Sequence, residues 1–184
     1  LVGARQADLA QVERVLAQGA AVNSRNRLGK TALLIAAEKG QLAMAERLIA
    51  AGADVNLASL EQVTPLMAAA YAGHEAIARR LIAAGARTDP LDRMRKPAVV
   101  YAAGQGRASA LAALLDAGVA IDAPYEHGLT ALMWAAGQGQ ADAVRLLLER
   151  GARTELRDDR GLTAADIARQ AGQAQALQLL EAPR

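Results

Sequence analysis

The sequence predicts an all-α solenoid of stacked helix-turn-helix pairs joined by β-hairpin-like loops. Three observations carry that expectation. Short motifs recur every 33 residues without insertion or deletion, which marks a repeat array. Each period holds two helix-forming stretches too short to be stable alone. Hydrophobic residues make up 53% of the chain, yet Phe is absent and aromatics are 2%. The core is therefore built from Ala and Leu, and must be thin and helical.

The columns of the repeat can be read in order. Thr31, Thr64, Pro97, Thr130 and Thr163 form one column, and Gly40, Gly73, Gly106, Gly139 and Gly172 a second. Gly19, Gly52, Gly85, Gly118 and Gly151 form a third; Val15, Leu48, Leu81, Leu114, Leu147 and Leu180 form an aliphatic fourth. Thr64 is a suitable N-cap and Pro65 a suitable first helical residue. "LMAAAYA" then makes a short helix, ended by Gly73. "EAIARRLIAA" makes a second with apolar residues at helical spacing, ended by Gly85. Ala86 to Lys96 is rich in turn formers and charge, which suits an extended loop or hairpin. Helices are expected near 31–39 and 42–51 and again in every period, giving six pairs. Leu114 should be fully buried.

On these residues the chain resembles an ankyrin-repeat protein of the Ala- and Arg-rich bacterial type. The resemblance is carried by "TPLMAAAYAGH" at 64–74, "TALMWAAGQG" at 130–139 and "GADVN" at 52–56, with weaker copies at 31–40, 97–106 and 163–172. It spans the chain as one domain, divided into a partial repeat 1–26, repeats at about 27–59, 60–92, 93–125 and 126–158, and a terminal capping repeat 159–184. A 34-residue helical repeat fails on period and on its marker residues. Gly137-Gln138-Gly139 is thereby an inter-helix turn: a dinucleotide loop needs a preceding strand and a third Gly. Arg169 and Glu181 stand where other repeats carry Ala and an aliphatic residue, so the last repeat is expected to close the array. Leu1 aligns with Leu34, so part of a helix is expected upstream.

Composition removes several function classes. Net charge is +2, and 18 of the 21 basic residues are Arg, which leaves no strong global field. Zero Cys rules out disulfides and thiolate chemistry and leaves cytoplasm and periplasm equally open for a soluble chain. No apolar run reaches membrane-spanning length, and no signal segment opens the chain. His74 and His127 lie more than one repeat apart, with no Ser–His–acid set. No catalytic residue, metal site or cofactor is expected. Asp158-Asp159 reads as solvated charge.

The resemblance implies a rigid, non-catalytic scaffold that binds another protein through a concave surface of loops and first helices. It places the variable surface columns at Arg25, Arg27, Leu28, Lys30, Glu38 and Lys39, then at Leu60, Glu61, Val63 and Tyr71, with equivalents in later repeats. The partner-binding candidates are Tyr71, Arg93, Met94, Lys96, Tyr101, Glu126, His127 and Trp134. They surround the least regular loops, where Gln62 and Arg95 occupy a turn position that favours Gly and Pro97 replaces the capping Thr. Such local rule-breaking concentrates at functional sites. The alternative is a nucleic-acid-binding module using the basic loops Arg25–Lys30 and Arg93–Lys96, which lacks stacking aromatics. The family's polar residue after the Thr-Pro-Leu motif is replaced by Leu34, Met67, Val100 and Met133, which puts its inter-repeat hydrogen bonds in question.

Overall fold

In the computed structural model, which describes residues 1–6 and 8–182, twelve α-helices form six successive antiparallel pairs. They are α1 (Val2–Gln6), α2 (Leu9–Ala17), α3 (Ala32–Lys39), α4 (Leu42–Ala50), α5 (Pro65–Ala72) and α6 (Glu75–Ala83), followed by α7 (Ala98–Gly104), α8 (Ala108–Asp116), α9 (Ala131–Gly137), α10 (Ala141–Glu149), α11 (Ala164–Gln170) and α12 (Ala174–Glu181). The odd-numbered helices stack on one another as one layer and the even-numbered helices as another. No strand forms among the described residues; the hairpin-like loops are closed turns.

Local chemistry explains the starts and stops. Thr31, Thr64, Thr130 and Thr163 each accept a hydrogen bond from the backbone N–H three residues on, satisfying a donor the helix start leaves unpaired. Met67 and Met133 add a return contact, their Sδ accepting from Thr64 N and Thr130 N at 3.4 Å. Asp166 does the same for Thr163 at 3.0 Å. The questioned polar position thus caps its own helix in three repeats. Pro97 keeps the same extended backbone without a side-chain cap.

The inter-helix glycines serve twice. Gly139 has φ +70°, a conformation cheap only for Gly, and the Gln173 side chain of the next repeat lies where a Cβ would sit. Gly40 is covered in the same way by the His74 ring, at 2.6 Å. His74 is therefore a stacking residue of the repeat.

The loops before the odd-numbered helices share one device. Asn26 Oδ1 accepts from Leu28 N and Lys30 N, Asp92 Oδ1 from Met94 N and Lys96 N, and Asp158 Oδ1 from Arg160 N and Leu162 N, all at 2.8–3.0 Å. Ser59 accepts from Val63 N. These side chains hold the turn in place of backbone partners. Asp158 is buried and also holds the Arg160 side chain, so it is a structural turn residue, not the solvated charge expected. Despite burial, its carboxyl stays below its ordinary range because the Leu162 and Arg160 contacts favour the charged form. Tyr125 has no acceptor for this role, and its loop forms a 3₁₀ turn, Glu126–Gly128, with His127 at φ 59°.

Gln62 and Arg95 adopt φ 63° and 56°. Their loops keep the Gly-type shape and carry its strain.

Neighbouring loops are laced together. Leu60 N donates to Leu28 O, Arg93 N to Glu61 O and Asp159 N to His127 O. Asp54 N, Arg87 N and Arg153 N donate to Asn23, Asn56 and Asp122. Between loops 84–97 and 117–130 neither kind of lace occurs among the described residues; Asp89 instead pairs with Arg87 at 2.7 Å.

The core is a single run of Ala and aliphatic side chains along the stack. The aliphatic column is closed at Leu48, Leu81, Leu114 and Leu147, 0–1% exposed, and opens to 37% at Val15 in the outermost pair. In the last pair Arg169 is exposed and bridges Asp166 and Glu181 at 3.0 and 2.6 Å, so the outer face there is polar.

Two stability outcomes follow. Leu114→Ala should lower unfolding free energy by about 2–5 kcal/mol in a urea titration, through lost transfer energy plus a cavity, while Val15→Ala should cost under about 1 kcal/mol. Arg95→Gly should stabilise by about 0.5–1 kcal/mol, because relief of left-handed strain exceeds the added chain entropy; Arg95→Val should destabilise.

Candidate functional site

The turns and the first helices frame two adjoining hollows. The larger, about 660 Å³, runs between the loop residues Leu28, Lys30, Ser59, Leu60, Glu61 and Val63 and the helical residues Leu34, Glu38, Met67, Ala68, Tyr71, Ala72, Tyr101 and Arg107. The smaller, about 190 Å³, is bounded by Tyr71, Lys96, Val100, Tyr101, Gly104, Gln105, Trp134 and Gln138. Tyr71 and Tyr101 belong to both walls and meet edge-to-face, ring centroids 5.7 Å apart at 76°, a favoured aromatic geometry. The larger hollow is apolar at its centre. Leu28, Leu60 and Tyr71 remain 59%, 53% and 50% exposed along it, a grouping of large apolar side chains that a stable surface usually avoids.

Charges ring this apolar centre in defined pairs. Lys30 Nζ contacts Glu38 at 2.9 Å and Arg93 contacts Glu61 at 3.5 Å. Lys96 Nζ lies 4.6 Å above the centre of the Trp134 ring, a cation–π contact. The Tyr101 hydroxyl donates to Asp92 Oδ2 in a short hydrogen bond, so the carboxylate that shapes the 92–96 loop also fixes the ring. Burial, reinforced by that carboxylate, pushes the Tyr101 phenol well above its ordinary value. Trp134 Nε1 is buried with no acceptor among the described residues.

Of the eight candidate residues, Tyr71, Lys96, Tyr101 and Trp134 surround the smaller hollow. Arg93 reaches the larger hollow only through Glu61. Met94 is 61% exposed, and Met94, Glu126 and His127 line neither hollow. Val63, Leu28 and Leu60 come from the surface columns, but Met67, Ala68 and Arg107 were not among the binding candidates expected from the sequence. Arg107 occupies the stacking column of His74, and its Nε donates to Tyr71 O at 3.2 Å, which brings it to the groove. Among the described residues no group of three His, Asp or Glu could hold a metal ion, and no helix is long and apolar enough to cross a membrane.

Short helix pairs stacked in one register, with loops of one shape between them, define a helical repeat solenoid. The chain belongs to the ankyrin-repeat family: the family model of ankyrin repeats in three copies matches residues 2–92 and 99–182. Its members are generally protein–protein interaction modules and typically non-enzymatic. No curated protein matches the chain.

The Tyr101–Asp92 bond can be weighed directly. Tyr101→Phe removes one donor from a buried carboxylate and should cost about 1–3 kcal/mol in chemical denaturation. Tyr71→Phe, which loses only an exposed hydroxyl, should be within about 0.5 kcal/mol of the parent.

Proposed function

We propose that this chain is a non-catalytic scaffold that binds another protein through the face formed by its loop tips and first helices, with Tyr71, Lys96, Tyr101 and Trp134 at the centre and Arg93, Met94, Glu126 and His127 around it. The observation that carries this reading is the apolar groove that leaves Leu28, Leu60 and Tyr71 half exposed or more. The groove walls are set by capped helices and side-chain-closed turns, so little conformational entropy is lost when a partner docks. Aromatic residues supply large contact area at low entropic cost, and Tyr and Trp are favoured anchors.

The nucleic-acid reading has less support. Lys30 is paired with Glu38 and Arg93 with Glu61, which leaves Arg25, Arg27 and Arg95 as scattered exposed cations and Lys96 set against the Trp134 ring. DNA binding should therefore be weak, sequence-blind and lost near physiological salt.

Affinity capture from the native host followed by mass spectrometry would supply a partner, and calorimetry would then locate the site. Tyr71→Ala and Arg93→Ala should each weaken binding by more than about 1 kcal/mol with the melting temperature nearly unchanged. Arg27→Ala and Arg160→Ala should be silent. The opposite pattern would move the site to one end of the array, and sub-micromolar, sequence-selective DNA binding would replace the protein-scaffold reading.

A further inference from the structure

We infer that the segment bound in the groove is acidic and apolar. It is an extended stretch of a partner protein that seats a Leu- or Ile-sized side chain among Leu28, Leu60 and Tyr71 and presents an Asp or Glu carboxylate to Lys96. This deepens the protein-binding reading and rests on it.

The charge pairing along the two hollows selects the acid. Both carboxylates in their walls are already used, Glu38 by Lys30 and Glu61 by Arg93. Asp92, beneath the smaller hollow, spends its oxygens on Met94 N, Lys96 N and the Tyr101 hydroxyl. The wall cations are not all used. Lys96 rests on the Trp134 ring with no carboxylate within ion-pair distance among the described residues, and Arg107 donates to the Tyr71 carbonyl. The groove therefore offers two cations to an incoming chain and no spare carboxylate.

The Trp134 contact also holds Lys96 in position. An ammonium has three donors and no acceptor, and a ring face takes up one side of it, so the remaining hydrogens point to the open hollow. A carboxylate placed there gains a charge-assisted hydrogen bond in a recess partly shielded by Tyr71, Val100, Tyr101 and Trp134, where it is stronger than in open water. Trp134, whose ring lies under Lys96, lines the same hollow. A basic segment would instead meet Lys96 and Arg107. Because the hollows meet at Tyr71 and Tyr101, the apolar and acidic anchors fall a few residues apart on one extended strand.

A random dodecapeptide display library, panned on the full chain at physiological salt, tests this. Selected peptides would be synthesised and titrated by fluorescence anisotropy. They should carry Asp or Glu a few positions from Leu, Ile or Met, and should bind about tenfold more weakly to Lys96→Met, the loss of one charge-assisted contact. Binding should fall as salt rises, and Lys96→Glu should turn the preference toward basic peptides. Lys96→Met keeps the aliphatic stem, so its melting temperature should stay near the parent value. Neutral or basic selected peptides that lose binding with Tyr71→Ala but not with Lys96→Met would overturn the acidic partner and leave the groove standing. If no peptide is enriched, or binding survives both substitutions, the acidic partner and the groove reading fall together. An oligonucleotide that displaces the peptides in a Lys96-dependent manner would reassign the cation to phosphate.

Discussion

Every feature of this protein depends on one constraint: helices of five to nine residues do not hold themselves together in water. Each must bury its apolar stripe against the equivalent helix one period away. The interface between periods is thus the unit of stability, and the rest of the sequence serves its geometry. Alanines at 0% exposure, such as Ala36, Ala69, Ala102 and Ala135, let the first helices approach closely. The glycine between paired helices is covered by the side chain arriving from the next repeat. Surface ion pairs such as Arg79–Asp116 and Arg150–Asp116 follow the same register, but they are exposed and contribute little. Asp116, flanked by both guanidinium groups, stays ionised to a lower pH than a free carboxylate, with the Arg150 contact the larger cause.

The groove is a by-product of that stacking which has been made distinctive by its residues. A repeat that places the same position on the same face every 33 residues lines up Tyr101 with Trp134 on successive first helices, while Leu28, Leu60 and Tyr71 come from neighbouring columns. Identical residues in these columns would give a uniform stripe. Here the aromatic residues Tyr71, Tyr101 and Trp134 collect in the middle of the array, and the acids of the walls are satisfied within it. Shape comes from the repeat, and selectivity from departures within its columns.

Much of this was legible in the sequence because the repeat is a one-dimensional code. Thr64 as a cap, Gly139 as a turn and Leu114 as core need only local chemistry and the period. The turn-closing column of Asn26, Ser59, Asp92 and Asp158 was equally available, being composed of residues that close turns, yet Asp158 beside charged neighbours reads as solvent-facing until its backbone partners are seen. His127 at positive φ could not be anticipated from its own identity. Tyr125, two residues earlier, offers no side-chain acceptor of the kind that Asn26, Asp92 and Asp158 supply in the other loops. The site was less legible still. That Lys96 folds onto Trp134, and that Arg107 swings toward Tyr71, depends on rotamers chosen across repeats. No periodicity records those choices.

The gap in the loop lacing has a mechanical side. Elsewhere the loops are tied to their neighbours by backbone and side-chain hydrogen bonds, so they resist splaying as a corrugated strip resists bending across its ribs. Between loops 84–97 and 117–130 the repeats are joined instead by the packed helices, α6 on α8 and α7 on α9. Lys96 lies on one side of this gap and Trp134 on the other, so the contact between that ammonium and that ring ties the two loops where the hydrogen-bond lace is missing.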